Sequence, residues 1–584
     1  MSDATDEARR AERGSRLLVI ALVGVFLVSM FGFAVAVYDS RNEPEPTDVP
    51  RPSLPALTGA EVEHAALMPE PTSEATGRRF LLAVAEIESS PSPEPSGSAS
   101  AAPSPELSST QAAQTLVKST MPVVPVASFW SKRDGIRKVA IVHALESGEV
   151  DGFKRVVVEK HIADPLAEAL GIEIHPEVRR LGLERLTKAV RKGALGLVAA
   201  TSAGPSTRTL EIGGESLIGV DRVKRVEHWP LRVDLELAPD DAWAQDRTWV
   251  LVAGGDSFTD RGVYDTVVKK GKGVDYPFDG GTAKVTGHGC CDPVFNDNVV
   301  PRYVLTGNKG AVRKLFKGAD LAVANHEQPV TDLAQHHTSG TRFSGKPELT
   351  KIFTRAGIDF LSLANNHIGD YGSQGIRDTR RVLRQNEIAF GGAGKDLDQA
   401  RAVDFLDARG TQVAIIPCLD IVKVYWAADG KAGATPCVDQ YIKKDIRKAK
   451  RAGAEVIVVF PHWGVEYTRQ PLESMRKHAA RWVDAGADLV IGAHSHVAGS
   501  IEDIDGSTVL YSLGNLIFDQ HWSTNTMESA LLEATFHGGE LFELRLRPYI
   551  IHNTSQPNFL DPAKGEGRRL LLEMKQASSA WLDW

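Results

Sequence analysis

Five short apolar runs in the second half of the chain each lead into side chains that can hold a metal ion. Runs 249–255, 321–324, 360–364, 456–461 and 489–493 lead respectively into Asp256, Asn325-His326-Glu327, Asn365-Asn366-His367, His462 and His494-Ser495-His496. Helical patterns over 347–355, 374–386, 439–451 and 471–485 lie between several of them. Continuous apolar strands joined by amphipathic helices predict a largely parallel sheet covered on both faces. In such sheets ligands bind beyond the carboxyl ends of the strands. One polar strand ending says little, but five of them bring Asp, Glu, Asn and His to one crevice.

The donor types restrict the chemistry. Carboxylate and amide oxygens with imidazole nitrogens suit Zn, Mn or Fe, and no cysteine joins them. A carboxylate can bridge two ions, and ions about 3.5–4 Å apart can clamp an attacking and a leaving oxygen. His494 and His496 share one face of an extended strand or tight loop. Each position also has a plainer reading: the histidines as core residues bonded to backbone, the strand-end Asp and Asn as caps of local amides. Arg261, five residues after Asp256, is a candidate contact for an anionic substrate or else an exposed ion-pair partner.

The 584 residues allow three or four units at roughly 150 residues each. A net charge of −8 gives no whole-chain attraction to nucleic acid or anionic lipid, and no nucleic-acid partner is expected. Residues 17–38 carry no charge, and a helix of that length spans about 33 Å, enough for a bilayer core. Arg9, Arg10, Arg13 and Arg16 precede it, which keeps residues 1–16 cytoplasmic and the body extracellular. A cleaved signal peptide is the alternative, with Ala34-Val35-Ala36 suited to a peptidase. Residues 39–120 contain 12 of the 31 prolines and read as a disordered stalk. Strand and helix patterns alternate over 121–240, as in a small accessory α/β domain without a dense reactive cluster. Four cysteines are too few for a disulfide scaffold, but outside the cell Cys418 and Cys437 favour a disulfide. Cys290 and Cys291, near His288, suit a bridge more than a local zinc site.

Gly255-Asp256, Asn325-x-Glu327, Leu363-Ala-Asn-Asn-His367 with Asp370-Tyr-Gly372, His462-Trp-Gly-x-Glu466, Gly492-Ala-His-Ser-His496, and Tyr511-Ser-Leu-Gly-Asn515 with Phe518-Asp519 resemble the CapA family. That family is associated with capsule or poly-γ-glutamate synthesis, and its domain resembles the calcineurin-like metallophosphoesterases. The resemblance covers about 249–560 and implies a centre of one or two divalent ions. Asp256 and His496 would serve one ion, Glu327 would stand at the bridging position, and Asn366, His462 and His494 would complete the other shell. His367 would donate to the developing charge or protonate the leaving group. Two positions depart from the superfamily pattern: Asp256-Ser-Phe258 lacks the usual histidine, and Asn-His-Glu replaces Gly-Asp.

The expectation for the whole chain is an α/β protein with metallophosphoesterase-like layered sheets flanked by helices over 249–560. The accessory domain, the stalk and one transmembrane helix precede them, and a C-terminal tail, 561–584, follows. Its expected role is CapA-type, in capsule, poly-γ-glutamate or other cell-surface polymer biosynthesis, with a hydrolase-like site. The alternatives are a non-enzymatic surface factor with a structural metal and a general extracellular metallophosphoesterase. Expected partners are an anionic cell-surface polymer or phosphoester, the membrane through the N-terminal helix, and polymer-synthesis enzymes.

Overall fold

The apolar runs form strands of two sheets that stack on one another. A computed structural model describes residues 116–289 and 299–584. Residues 17–38, the greater part of the 39–120 stalk, and the Cys290-Cys291 pair lie outside the described residues. Among the described residues no helix is long and apolar enough to cross a membrane.

The larger sheet has ten strands. Its centre is Thr248–Ser257, flanked in parallel by Leu321–His326, with Phe360–Ser362 and Ala389–Gly391 beyond. On the other side Thr248–Ser257 pairs antiparallel with Glu528–His537, which forms a long hairpin with Glu540–His552. The second sheet has six strands, among them Thr411–Leu419, Val456–His462 and Leu489–Ile491 in parallel register. Two layered sheets are what the family resemblance implies, while both are mixed, which corrects the expectation of a largely parallel sheet drawn from the strand pattern.

Side-chain alternation assigns the layers. Trp249, Leu251 and Ala253 face Val456, Val458 and Phe460 in a core between the sheets. Val250 and Val252 face outward to a core containing Val312, Phe316 and Phe353 from the helices over the first sheet. Ile457 and Val459 likewise face Ile442, Ile446 and Trp482 of the helices over the second. A strand buried by a helix on one face and by a sheet on the other is apolar throughout, as the runs are.

Register then levels the functional side chains. Asp256 pairs with Asn325 on one side and Asn515 on the other, and His462 pairs with Leu419. Gly255 is needed for this, since a Cβ there would lie 1.9 Å from the Gly514 carbonyl oxygen. That carbonyl instead accepts from the Asp256 amide at 2.9 Å.

Residues 117–237 build a separate six-stranded sheet around Val117–Ser128. It is not an isolated bead: Thr209 N–H donates to Glu543 at 2.8 Å and Val220 N–H to Glu533 at 2.9 Å. Arg545 and Arg547 pair with those two buried glutamates, and Trp243 stacks on His537. Residues 561–584, expected as a tail, hold the helix Gly565–Ser578. Leu570, Leu571 and Met574 of that helix enter the core between the sheets, because their spacing gives one apolar face.

Candidate metal centre

The five strand endings meet. Asp256 is fully buried and accepts from Asn325 Nδ2 at 2.8 Å and from the His494 amide at 3.0 Å. His496 Nδ1 lies 3.2 Å from Asp256 and donates to Asn515 at 2.9 Å. His462 Nε2 and Asn366 Oδ1 are 2.7 Å apart. Glu327 stands at the middle, fully buried, with His462 Nε2 at 3.6 Å and His496 Nε2 at 3.9 Å.

Two overlapping groups have the spacing of a metal shell. Glu327, His462 and His494 present ligand atoms all within 4.8 Å of one another, and so do Asp256, Glu327 and His496. Glu327 belongs to both, which is the position of a bridging carboxylate. Among the described residues neither oxygen of Glu327 accepts a hydrogen bond, and His494 Nδ1 has no partner. Buried polar atoms are rarely left so, and a divalent cation would satisfy all three. The residues therefore fit a metal ion.

Electrostatics favours the same ligand forms. Burial alone would raise the Asp256 carboxyl, but His496, His462 and Asn325 outweigh it and hold it at about 2. Burial, then the neighbouring His496, lowers His494 to about 3, and burial with His494 lowers His462 well below its usual value. Neutral imidazoles are the form that binds metal. Glu327 moves oppositely: burial, then the charge of Asp256, raises it well above an ordinary carboxyl. His494 and His496 hold φ of 93° and 58°, in the left-handed region that non-glycine residues seldom adopt. That conformation lets two histidines one residue apart turn into the same pocket.

His367 sits beside this group. Its amide donates to Asn365 at 3.2 Å, its Nδ1 donates to Asp370 at 2.9 Å, and its ring stacks on Phe343 at 4.0 Å. Phe258, where the superfamily pattern has a histidine, is fully buried and stacks on Phe518 at 4.1 Å. Arg261 is committed: it donates to Gly340 O, pairs with Asp519 and lies over the Phe258, Phe343 and Phe518 rings. Its buried Nε has no hydrogen-bond partner among the described residues. Trp463 is fully buried against Trp482 and Tyr511. Cys418 and Cys437 form a disulfide with a Cα–Cα distance of 4.9 Å.

Three residues orient the candidate ligands and the histidine beside them. Asn325 joins Asp256, at 2.8 Å, to His462, at 3.3 Å; Asn515 orients His496; Asp370 orients His367. Each lies inside a quoted motif, but an orienting contact depends on the fold that closes it.

A family described as bacterial capsule synthesis protein matches residues 250–520. The PGA biosynthesis protein CapA of Bacillus subtilis is 31% identical over 299 residues, 49% of this chain and 78% of that protein. The capsule biosynthesis protein CapA of Bacillus anthracis is 33% identical over 230 residues, covering 38% of this chain and 56% of that one. Among solved structures, a 5'-nucleotidase precursor from Thermus thermophilus aligns at 15% identity and a TM-score of 0.31, covering 57% of this chain and 59% of that chain. A likeness that slight carries no weight for function.

The orphan carboxylate gives a direct test. An unpaired buried carboxyl of raised pKa makes the fold less stable as pH rises past its ordinary range, since the unfolded chain releases the proton first. In chelator, Glu327→Gln is expected to be more stable than the parent at neutral pH by about 1–3 kcal/mol. It should also lose the upward Tm shift that Mn²⁺ gives the parent. A less stable variant in chelator, or an equal Mn²⁺ shift, contradicts the assignment.

Proposed function

Because the chain belongs to the bacterial capsule synthesis protein family, we propose that it serves in making or processing an anionic cell-surface polymer through a metal-dependent, hydrolase-like centre. The observation that carries the chemical half of this reading is Glu327, buried without a hydrogen bond and shared by two groups of ligand spacing. Asp256 and His496 would hold one divalent ion, with Asn366, His462 and His494 serving a second. When bound, such ions supply Lewis-acid polarisation of a phosphoryl or carbonyl oxygen. The carboxylate, amide and imidazole donors suit Mn, Zn or Fe.

The chain's own groups do the rest. Asp370 accepts a hydrogen bond from His367 Nδ1–H, so Nε2 is the nitrogen left to hold or pass a proton at a leaving group. The Phe258, Phe343 and Phe518 wall keeps one side of the pocket dry and strengthens charge interactions within it. Arg261, fixed behind that wall, adds positive potential toward an anionic substrate. Phosphoesters and γ-glutamyl amides both present an oxygen for polarisation and a leaving group for protonation, so both are proposed as substrate classes.

Full-length protein purified in detergent should carry stoichiometric divalent metal and cleave one of those classes. His367→Ala should lower kcat by about 10²–10⁴-fold with metal retained. Protein free of metal after exposure to Mn²⁺ and Zn²⁺ would defeat the hydrolase reading. Full activity in His367→Ala would remove His367 from the chemistry, whereas metal-loaded parent protein that cleaves neither class would favour the alternative of a binding factor with a structural ion.

The proposed location is the cell membrane, with the N-terminus cytoplasmic and the body outside, supported by the uncharged run 17–38 and the arginines before it. Association with polymer-synthesis enzymes in that membrane is part of the same proposal. Membrane fractions of intact cells should hold the full chain, and external protease should digest its body. Recovery in the cytosol, or protection from protease, would contradict it.

A further inference from the structure

The disulfide closes a loop that touches both sides of the centre. Its first strand, Thr411–Leu419, ends level with His462, and Asp420 N–H donates to the His462 carbonyl at 3.0 Å. The loop returns at Cys437, where the disulfide and two backbone hydrogen bonds, Leu419 to Thr435 and Cys437 to Leu419, fasten its base. Val422 then takes φ of 46°, a left-handed conformation rare for a β-branched residue. Strain of that kind is held only where surrounding contacts over-determine it.

The bend at Val422 starts the short turn Lys423–Tyr425, which lays the Tyr425 ring on Gly369. The approach is so close that a Cβ on Gly369 would lie 2.2 Å from Tyr425 Cδ1. The Tyr425 hydroxyl reaches Asp370 Oδ1 at 3.4 Å. The other oxygen, Oδ2, is taken by His367 Nδ1–H at 2.9 Å and by the Phe343 amide at 2.8 Å. Asp370 is thereby gripped at both oxygens. Burial, then the Asp370 charge, raises the Tyr425 pKa, which keeps the hydroxyl protonated as a donor.

We propose that Tyr425 is a positioning residue for His367, acting through Asp370, and that the Cys418–Cys437 disulfide holds the loop that delivers it. This rests on the proposed role of His367. Without the tyrosine, Asp370 keeps its contacts to His367 and Phe343 but loses the ring that blocks movement of the His367–Asp370 turn. Without the disulfide, the loop gains freedom at its base and the ring settles on Gly369 less often. Oxidising conditions would thus be required for full function, as suits a protein working outside the cell.

The test uses the full-length, oxidised protein and three variants: Tyr425→Ala, Tyr425→Phe and Cys418→Ala with Cys437→Ala. Hydrogen exchange of amides 367–372 should rise about tenfold in Tyr425→Ala, rise less in the cysteine pair, and stay near parental in Tyr425→Phe, which keeps the ring. In turnover of whichever ester or amide the parent cleaves, Tyr425→Ala and Tyr425→Phe should lower kcat with KM unchanged. Parental exchange in Tyr425→Ala would overturn the proposal, as would parental kcat in both tyrosine variants. If the parent cleaves nothing, the hydrolase reading fails on its own, while the exchange measurement still decides whether Tyr425 fixes the turn.

Discussion

Two carboxylates, Asp256 and Glu327, are buried side by side at the ends of adjacent strands, and that juxtaposition constrains the rest of the centre. Like charges in a dry site repel strongly, and each ion carries a desolvation cost of several kcal/mol in effective terms. Asp256 is offset by amide and imidazole donors. Glu327 is not, and the nearest imidazole nitrogens stand too far off for hydrogen bonds. Burial lowers His462 and His494, so neither of these imidazoles is poised to supply the missing positive charge. A divalent cation meets both needs.

The fold tolerates this arrangement because the strands that carry it are fixed on both faces. One face of each is packed by helices and the other by the opposing sheet, so the strand ends have little freedom to relax apart. The amino-terminal sheet adds a further restraint through the hairpin that borders Thr248–Ser257, with Glu533 and Glu543 bonded to its backbone amides. The helix Gly565–Ser578 caps the same inter-sheet core. Strained histidine backbone at 494 and 496 is the local counterpart of that rigidity.

Much of the centre was legible in the sequence because the signal is repeated. Each strand is apolar until the residue that enters the pocket, and the endings converge because parallel strands level them within each sheet and the two sheets stack. Layered sheets were implied by the family resemblance and not by the strand pattern, since a strand face covered by a helix and one covered by another sheet demand the same apolar residues. In 561–584, Leu570, Leu571 and Met574 show an amphipathic helix in the sequence, but not the core that receives it. Orienting contacts such as Asn515 on His496 and Tyr425 on Asp370 join segments far apart in the chain. No local pattern announces such pairs; they follow from register and loop closure.

The central claim is that these side chains chelate divalent cations, and anomalous diffraction from crystals grown with Mn²⁺ addresses it most directly. At least one anomalous peak is expected about 2.0–2.3 Å from a Glu327 oxygen and shared with Asp256 and His496, or with His462 and His494. A pocket without a peak in Mn²⁺-saturated crystals, with Glu327 hydrogen-bonded to protein or water instead, would contradict it.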